Sequence, residues 1–151
     1  MQLRRLWCAV GLVLGLLVTS VPTPAIAGDS DYGRTWRKDG TLRGGCHEYT
    51  FQYRVKPGNM EPGGDWLAEF WLLDRKGRGV ASAAKDASVD PKRGSGVFDF
   101  CKSSTVPGRF KIRGRLTVFP PDDGSPHLPT DPPLVGESKW IKPGYFRLRN
   151  P

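Results

Sequence analysis

The chain has 151 residues, with 23 Lys and Arg against 15 Asp and Glu, a net charge of +8, two histidines and three cysteines. That length leaves no room for a second sizeable domain, and two histidines leave little material for histidine-based catalysis or a histidine-rich metal centre. The cation excess favours polyanionic neighbours, such as nucleic acid, anionic lipid headgroups or phosphate-bearing envelope polymers, and it also serves solubility.

Residues 1–27 begin with Arg4 and Arg5, continue in an apolar run from Leu6 to Val18, and end in Ala25-Ile26-Ala27 before Gly28. A basic start, a short apolar middle and small residues at the end predict a secretory signal peptide, the run being short and abruptly ended for a membrane span; the alternative reading is an uncleaved anchor. Its removal takes two cations and no acid, leaving 124 residues with 21 Lys and Arg against 15 Asp and Glu, a net charge of +6. No transmembrane span is expected in that mature chain, whose localisation is expected to be extracellular. Cys8 leaves with the leader, so Cys46 and Cys101 are the thiols that an oxidising compartment is expected to join.

From Gly28 to Gly45 the composition is polar and glycine-rich, with only Tyr32, Trp36 and Leu42 to bury. Residues 28–45 are therefore expected to be mostly a loose arm, with room for a short edge strand around Trp36, and residues 46–151 to form the folded domain. His47, Tyr49, Phe51, Tyr53 and Val55 share one parity and Glu48, Thr50, Gln52, Arg54 and Lys56 the other, the alternation of a half-buried strand. Pro57-Gly58-Asn59 and Pro62-Gly63-Gly64 end it. Trp66 to Leu73 reads as a central strand whose inward parity the pattern does not settle, followed by a tight turn at Arg75-Lys76-Gly77. Gly79 to Ala84 is a weaker strand suited to pair with it, and Val97 to Cys101 is a short strand with Phe98 and Phe100 inward.

The clearest alternation runs from Arg109 to Phe119. Phe110, Ile112, Leu116 and Val118 share one parity, and Arg109, Lys111, Arg113 and Arg115 share the other. In a strand this sets a row of cations on one face and an apolar row on the opposite one. Six prolines between 120 and 133 predict a stiff, extended loop. A last strand runs from Ser138 to Arg149, with a bulge or bend at Pro143-Gly144.

About seven short strands and no amphipathic helix of ten residues predict an all-β fold, an antiparallel Ig-like β-sandwich with one disulfide; the strand count also admits a barrel. Two cysteines some fifty residues apart, a tryptophan-rich strand between them and the approach Pro107-Gly108-Arg109-Phe110 resemble small bacterial secreted Ig-like domains, over Cys46 to Arg149. In immunoglobulin domains proper the bridge crosses the core. Here Cys46 has the parity of Glu48 and Thr50, and Cys101 that of Val97 and Asp99, so both are expected on the outward side or at strand ends. Between neighbouring strands the bridge is then a surface clamp.

The candidate binding residues are Arg109, Lys111, Arg113 and Arg115, joined by Arg147 and Arg149 if the last strand pairs with the one before it, with Trp71 and Tyr145 as stacking partners and Trp140 and Lys139 nearby. An anionic polymer lying across such a row is attracted to all of it, whereas counter-charges such as Glu69 turn it into an ordinary solvated face. No catalytic set is expected. His47-Glu48 lacks a second histidine and points to opposite faces, His127 lies in the proline loop, and Gly94-Ser95-Gly96 lacks the flanks of a nucleophile elbow. Asp122, Asp123 and Asp131 have oxygen ligands suited to calcium but no specifying spacing, so neither a metal nor another cofactor is expected.

The sequence therefore points to a non-enzymatic exported module whose partner is an anionic polymer or another envelope protein, with nucleic acid not expected in the cell and the oligomeric state left open. Rival readings are a carbohydrate-binding domain using exposed aromatic rings, a secreted hydrolase with an unrecognised site, and an inhibitor that presents the loop from Pro120 to Pro133.

Overall fold

A computed structural model describes residues 32–58, 60–122 and 136–151. The leader, His127, Asp123, Asp131 and most of the proline loop lie outside the described residues. Eight strands follow in chain order: β1 (Gly33–Trp36), β2 (Gly40–Thr41), β3 (Cys46–Val55), β4 (Asp65–Leu73), β5 (Gly79–Asp86), β6 (Arg93–Cys101), β7 (Gly108–Phe119) and β8 (Glu137–Arg149). One 3-10 turn, Lys102–Ser104, follows β6. Among the described residues no helix is long and apolar enough to cross a membrane.

The strands form one sheet in the order β5-β4-β7-β8-β1-β3-β6, with β2 added beside β8. The outermost strands, β5 and β6, come into contact without ladder pairing, so the sheet curls until it is nearly a barrel. The all-β expectation and the disulfide hold. An eighth strand and two parallel pairings, β1 with β8 and β2 with β8, amend the expected seven-strand antiparallel pattern. All other pairings are antiparallel.

Period-2 alternation builds the core, because each strand turns every second side chain inward. The inward set is Tyr49, Phe51, Tyr53 and Val55 from β3, Trp66, Ala68, Phe70 and Leu72 from β4, Phe98 and Phe100 from β6, and Phe110, Ile112 and Leu116 from β7. The parity of β4, open in the sequence, is thus even-numbered inward. The aromatic rings pack as pairs: Phe51 stacks on Phe98 with centroids 4.3 Å apart and meets Phe70 edge-on at 5.1 Å, and Tyr49 stacks on Phe100 at 4.3 Å. Gly96 stands opposite Phe51, and a Cβ there would lie 2.5 Å from the Phe51 ring, so the missing side chain gives the ring its seat.

The polar segment expected as a loose arm is corrected over residues 33–42. β1 lies inside the sheet, paired with β3 on one side and β8 on the other, and Leu42 is fully buried. Four residues suffice because both neighbours supply partners. Gly33 and Thr35 face inward, and the Thr35 hydroxyl accepts a 2.8 Å hydrogen bond from the Gly144 amide. The Arg37 guanidinium, next along the chain, lies 5.3 Å from the Tyr49 ring and 5.1 Å from Phe146.

The bend expected at Pro143-Gly144 is a β-bulge. Ile112 pairs with Gly144 and Gly114 with Ile141, so Lys142 and Pro143 together face Arg113. Proline is tolerated because a bulge residue owes no ladder bond. The extra residue also reverses the parity of β8, which is why even-numbered Trp140 and odd-numbered Tyr145 both lie on the outer face while Ile141 and Phe146 are buried.

The turn between β4 and β5 is fastened by the buried Asp74. Its carboxylate accepts from the amides of Lys76 (2.8 Å) and Arg78 (3.0 Å) and from Nε (2.9 Å) and Nη2 (2.7 Å) of Arg78. Burial alone pushes this carboxyl up, but the bonds from Arg78 and Lys76 outweigh it and hold its pKa below the ordinary carboxylate value. A lowered folded-state pKa means a contribution present above the unfolded carboxylate pKa and lost as pH falls through the folded one. Asp74→Asn is therefore expected to cost about 2 kcal/mol at neutral pH, measured by urea denaturation, with the gap to the parent chain closing on acidification.

Candidate functional site

β7 places its side chains as its alternation requires. Phe110, Ile112 and Leu116 are buried, while Arg109 and Arg113 are exposed and Lys111 and Arg115 partly so. Alternate residues along a strand are about 6.7 Å apart, so the four cations form a row about 20 Å long. β4 and β8 flank it. Trp71 on β4 stands opposite Arg113, and Glu69 opposite Arg115. On β8, Trp140 stands opposite Arg115, Tyr145 opposite Lys111 and Arg147 opposite Arg109.

The aromatic residues lie beneath the cations. The Arg113 guanidinium sits 3.8 Å from the centre of the Trp140 ring, and that of Arg109 sits 4.4 Å from Tyr145. The Lys111 ammonium is 5.9 Å from Tyr145, and Arg115 is 5.5 Å from Trp71. Such contacts are attractive because the ring face is negative, and a stacked guanidinium keeps its N–H edges turned away from the ring. Trp71 and Trp140 are 6.2 Å apart and inclined by 57°, so they form no flat platform. Trp140, at first only a neighbour, thus makes the closest of these contacts with the row. The sequence signal for it is the proline-glycine bulge that resets the parity.

The counter-charge expected from Glu69 is present and local. Its Oε2 accepts from Nε (2.9 Å) and Nη2 (2.5 Å) of Arg115. Among the described residues no acid forms an ion pair with Arg109, Lys111, Arg113, Arg147 or Arg149. Asp39 touches this face through the backbone, accepting from the Arg147 amide at 2.7 Å. Arg149 stands apart from the row: β7 ends its pairing at Gly108 opposite Leu148, and Arg149 lies beyond, beside Thr41 of β2. A groove of about 350 Å³ opens at the bulge, lined by Leu73, Lys111, Arg113, Trp140, Pro143 and Tyr145. Apolar walls and two cations suit it to a charged group carried on a less polar frame.

The remaining candidates do not converge. The His47 ring is bonded to the Gly44 carbonyl through Nε2 at 2.6 Å, while Glu48 stands on the other face opposite Asp99. Ser95 lies within β6 opposite Gln52. Cys46 and Cys101 are bonded and directly opposite at the ends of β3 and β6, with Cα atoms 3.8 Å apart, so the bridge clamps neighbouring strands at the rim.

Compared with protein-family models and with curated proteins, the chain matches none.

Proposed function

We propose that this protein is an exported, non-enzymatic binding module that docks an anionic polymer of the cell envelope or extracellular medium along β7. The observation that carries the reading is the placement of the Arg113 guanidinium over the Trp140 ring and of the Arg109 guanidinium over Tyr145, with no acid paired to either among the described residues. A guanidinium held over a ring has given up part of its rotamer freedom before any ligand arrives, and its planar fork suits sulfate, phosphate or carboxylate. Arg109 and Arg147 stand directly opposite each other, an arrangement that costs stability unless an anion sits between them.

Export is supported by the basic and apolar character of residues 1–27 and by the disulfide. We read the architecture as Ig-like in type, supported by the packing of Phe51 on β3 against Phe70 on β4 across the core. The carbohydrate-binding reading calls for coplanar free rings, and the tilt of Trp71 against Trp140, with cations over both, speaks against it.

The test is retention on immobilised heparin. The parent chain is expected to elute well above physiological salt, and Arg109→Glu/Arg113→Glu to elute near or below it while melting at a similar temperature. Equal elution of the two removes the proposal.

A further inference from the structure

A second set of cations lies on the other half of the sheet. Arg34 on β1 stands opposite Arg54 on β3 and, on its other side, Lys142 on β8; Arg54 in turn stands opposite Arg93 on β6. These residues are scattered from position 34 to position 142, yet the topology sets them in one row across four adjacent strands, about 4.8 Å per step. All four are exposed. Two recesses adjoin the row: one of about 280 Å³ holds Arg34, Arg54, Lys56 and Lys142, and one of about 550 Å³ holds Arg54, Lys56, Lys92 and Arg93. Arg54 and Lys56 belong to both, so the two recesses share a wall of positive charge.

Among the described residues none of these six cations forms an ion pair with an acid. The same two strands do carry acids, but at the far end, where Glu48 stands opposite Asp99. Six residues of strand separate Glu48 from Arg54, about 20 Å, beyond useful screening distance in physiological salt. Opposing like with like at both ends destabilises each pair, whereas one exchange of acid for base would have neutralised both. The arrangement concentrates positive charge at one place. Arg34 is further held over the Trp36 ring at 5.0 Å, the same ring-backed presentation seen on β7.

We propose that the Lys142-Arg34-Arg54-Arg93 row is a second anion site, distinct from the β7 row, and that it takes a short linear oligophosphate. A single monovalent anion offsets one of these six charges, so a row of four with two more beside it calls for several linked oxyanions. Steps below 5 Å are shorter than the alternate-residue spacing on β7. They suit phosphoryl groups joined through one bridging oxygen, which carry more charge per unit length than sulfated sugars, whose charges are a ring apart. Trp36, already covered by Arg34, leaves no open ring in the recesses on which a sugar or base would stack.

The experiment is calorimetric titration of the full chain with inorganic tripolyphosphate at physiological salt. The parent chain is expected to show one tight site, and Arg34→Gln/Arg54→Gln to bind there at least roughly tenfold more weakly. Arg109→Gln/Arg113→Gln is expected to bind tripolyphosphate within about twofold of the parent chain, since a direct contact is kept and only distant charge is lost. Without ligand, Arg34→Gln/Arg54→Gln is expected to melt close to the parent, because relief of the repulsive pair offsets loss of the Arg34 contact with Trp36. Unchanged affinity in Arg34→Gln/Arg54→Gln overturns the site. So does an equal loss in the β7 variant, or equal competition by inorganic sulfate, either of which reduces it to general charge attraction. Because the β7 proposal is tested with heparin and β7 variants, either proposal can fail alone.

Discussion

Removing the Cys46–Cys101 bridge is expected to cost the fold about 4 kcal/mol. The bond closes a loop with a sequence separation of 55, and in the chain-entropy model the loss of that constraint on the unfolded chain sets the magnitude. Its position adds a second reason. β6 has a ladder on one side only, to β3, and meets β5 without pairing, so the bridge fastens the outermost strand at its far end. Thermal melting of Cys46→Ser/Cys101→Ser against the parent chain is expected to show a fall of roughly 15 °C. Trp66, buried in the core away from the rim clamp, is expected to stay shielded from acrylamide below the transition. A fall of only a degree or two would mean that the β3–β6 ladder holds its register unaided.

The second large effect is expected at Gly144. A Cβ built there lies 2.6 Å from the Thr35 carbonyl oxygen and 2.9 Å from the Thr35 hydroxyl oxygen. Neither can retreat cheaply, because β1 is held on its other side by β3, from Gly33 opposite Val55 to Trp36 opposite Gln52. Overpacking against backbone, together with loss of the Gly144 to Thr35 hydrogen bond, sets the cost of Gly144→Ala at about 3 kcal/mol. Gly40→Ala is the matched control, since a Cβ there meets nothing closer than 3.6 Å. Urea denaturation of the two variants checks this; a loss below about 0.5 kcal/mol at Gly144 would contradict the tight approach of β1 to β8.

The parts of this molecule that could be read from the sequence are those written in local alternation. β3 and β7 carry long runs of period-2 pattern, and apart from Thr117, buried on the outward parity of β7, both their burial and the outward placement of the disulfide follow from parity. β1 was not legible in that way. Four residues, Gly-Arg-Thr-Trp, hold no pattern long enough to distinguish an interior strand from an arm. Its place depends on a glycine 109 positions away that lets the backbones approach.

The candidate site divides along the same line. The cations of β7 were visible, and so was their pairing with Arg147, because the last two strands are neighbours in sequence. The contact of Arg113 with Trp140 was not, since it depends on where the extra bulge residue falls. The row across Lys142, Arg34, Arg54 and Arg93 has no sequence signature, because each member sits on a different strand and only the strand order makes them neighbours.

The salt dependence of heparin affinity, measured by titration for the parent chain and for Arg109→Gln/Arg113→Gln, tests the β7 proposal most directly. If polymer anions are held by the row, the logarithm of the binding constant falls linearly with the logarithm of salt concentration, and the variant's slope is shallower by about one for each cation removed, about two in all. A variant with the parent's slope and affinity would place the polymer elsewhere and leave the ring-backed arginines of β7 without a binding role.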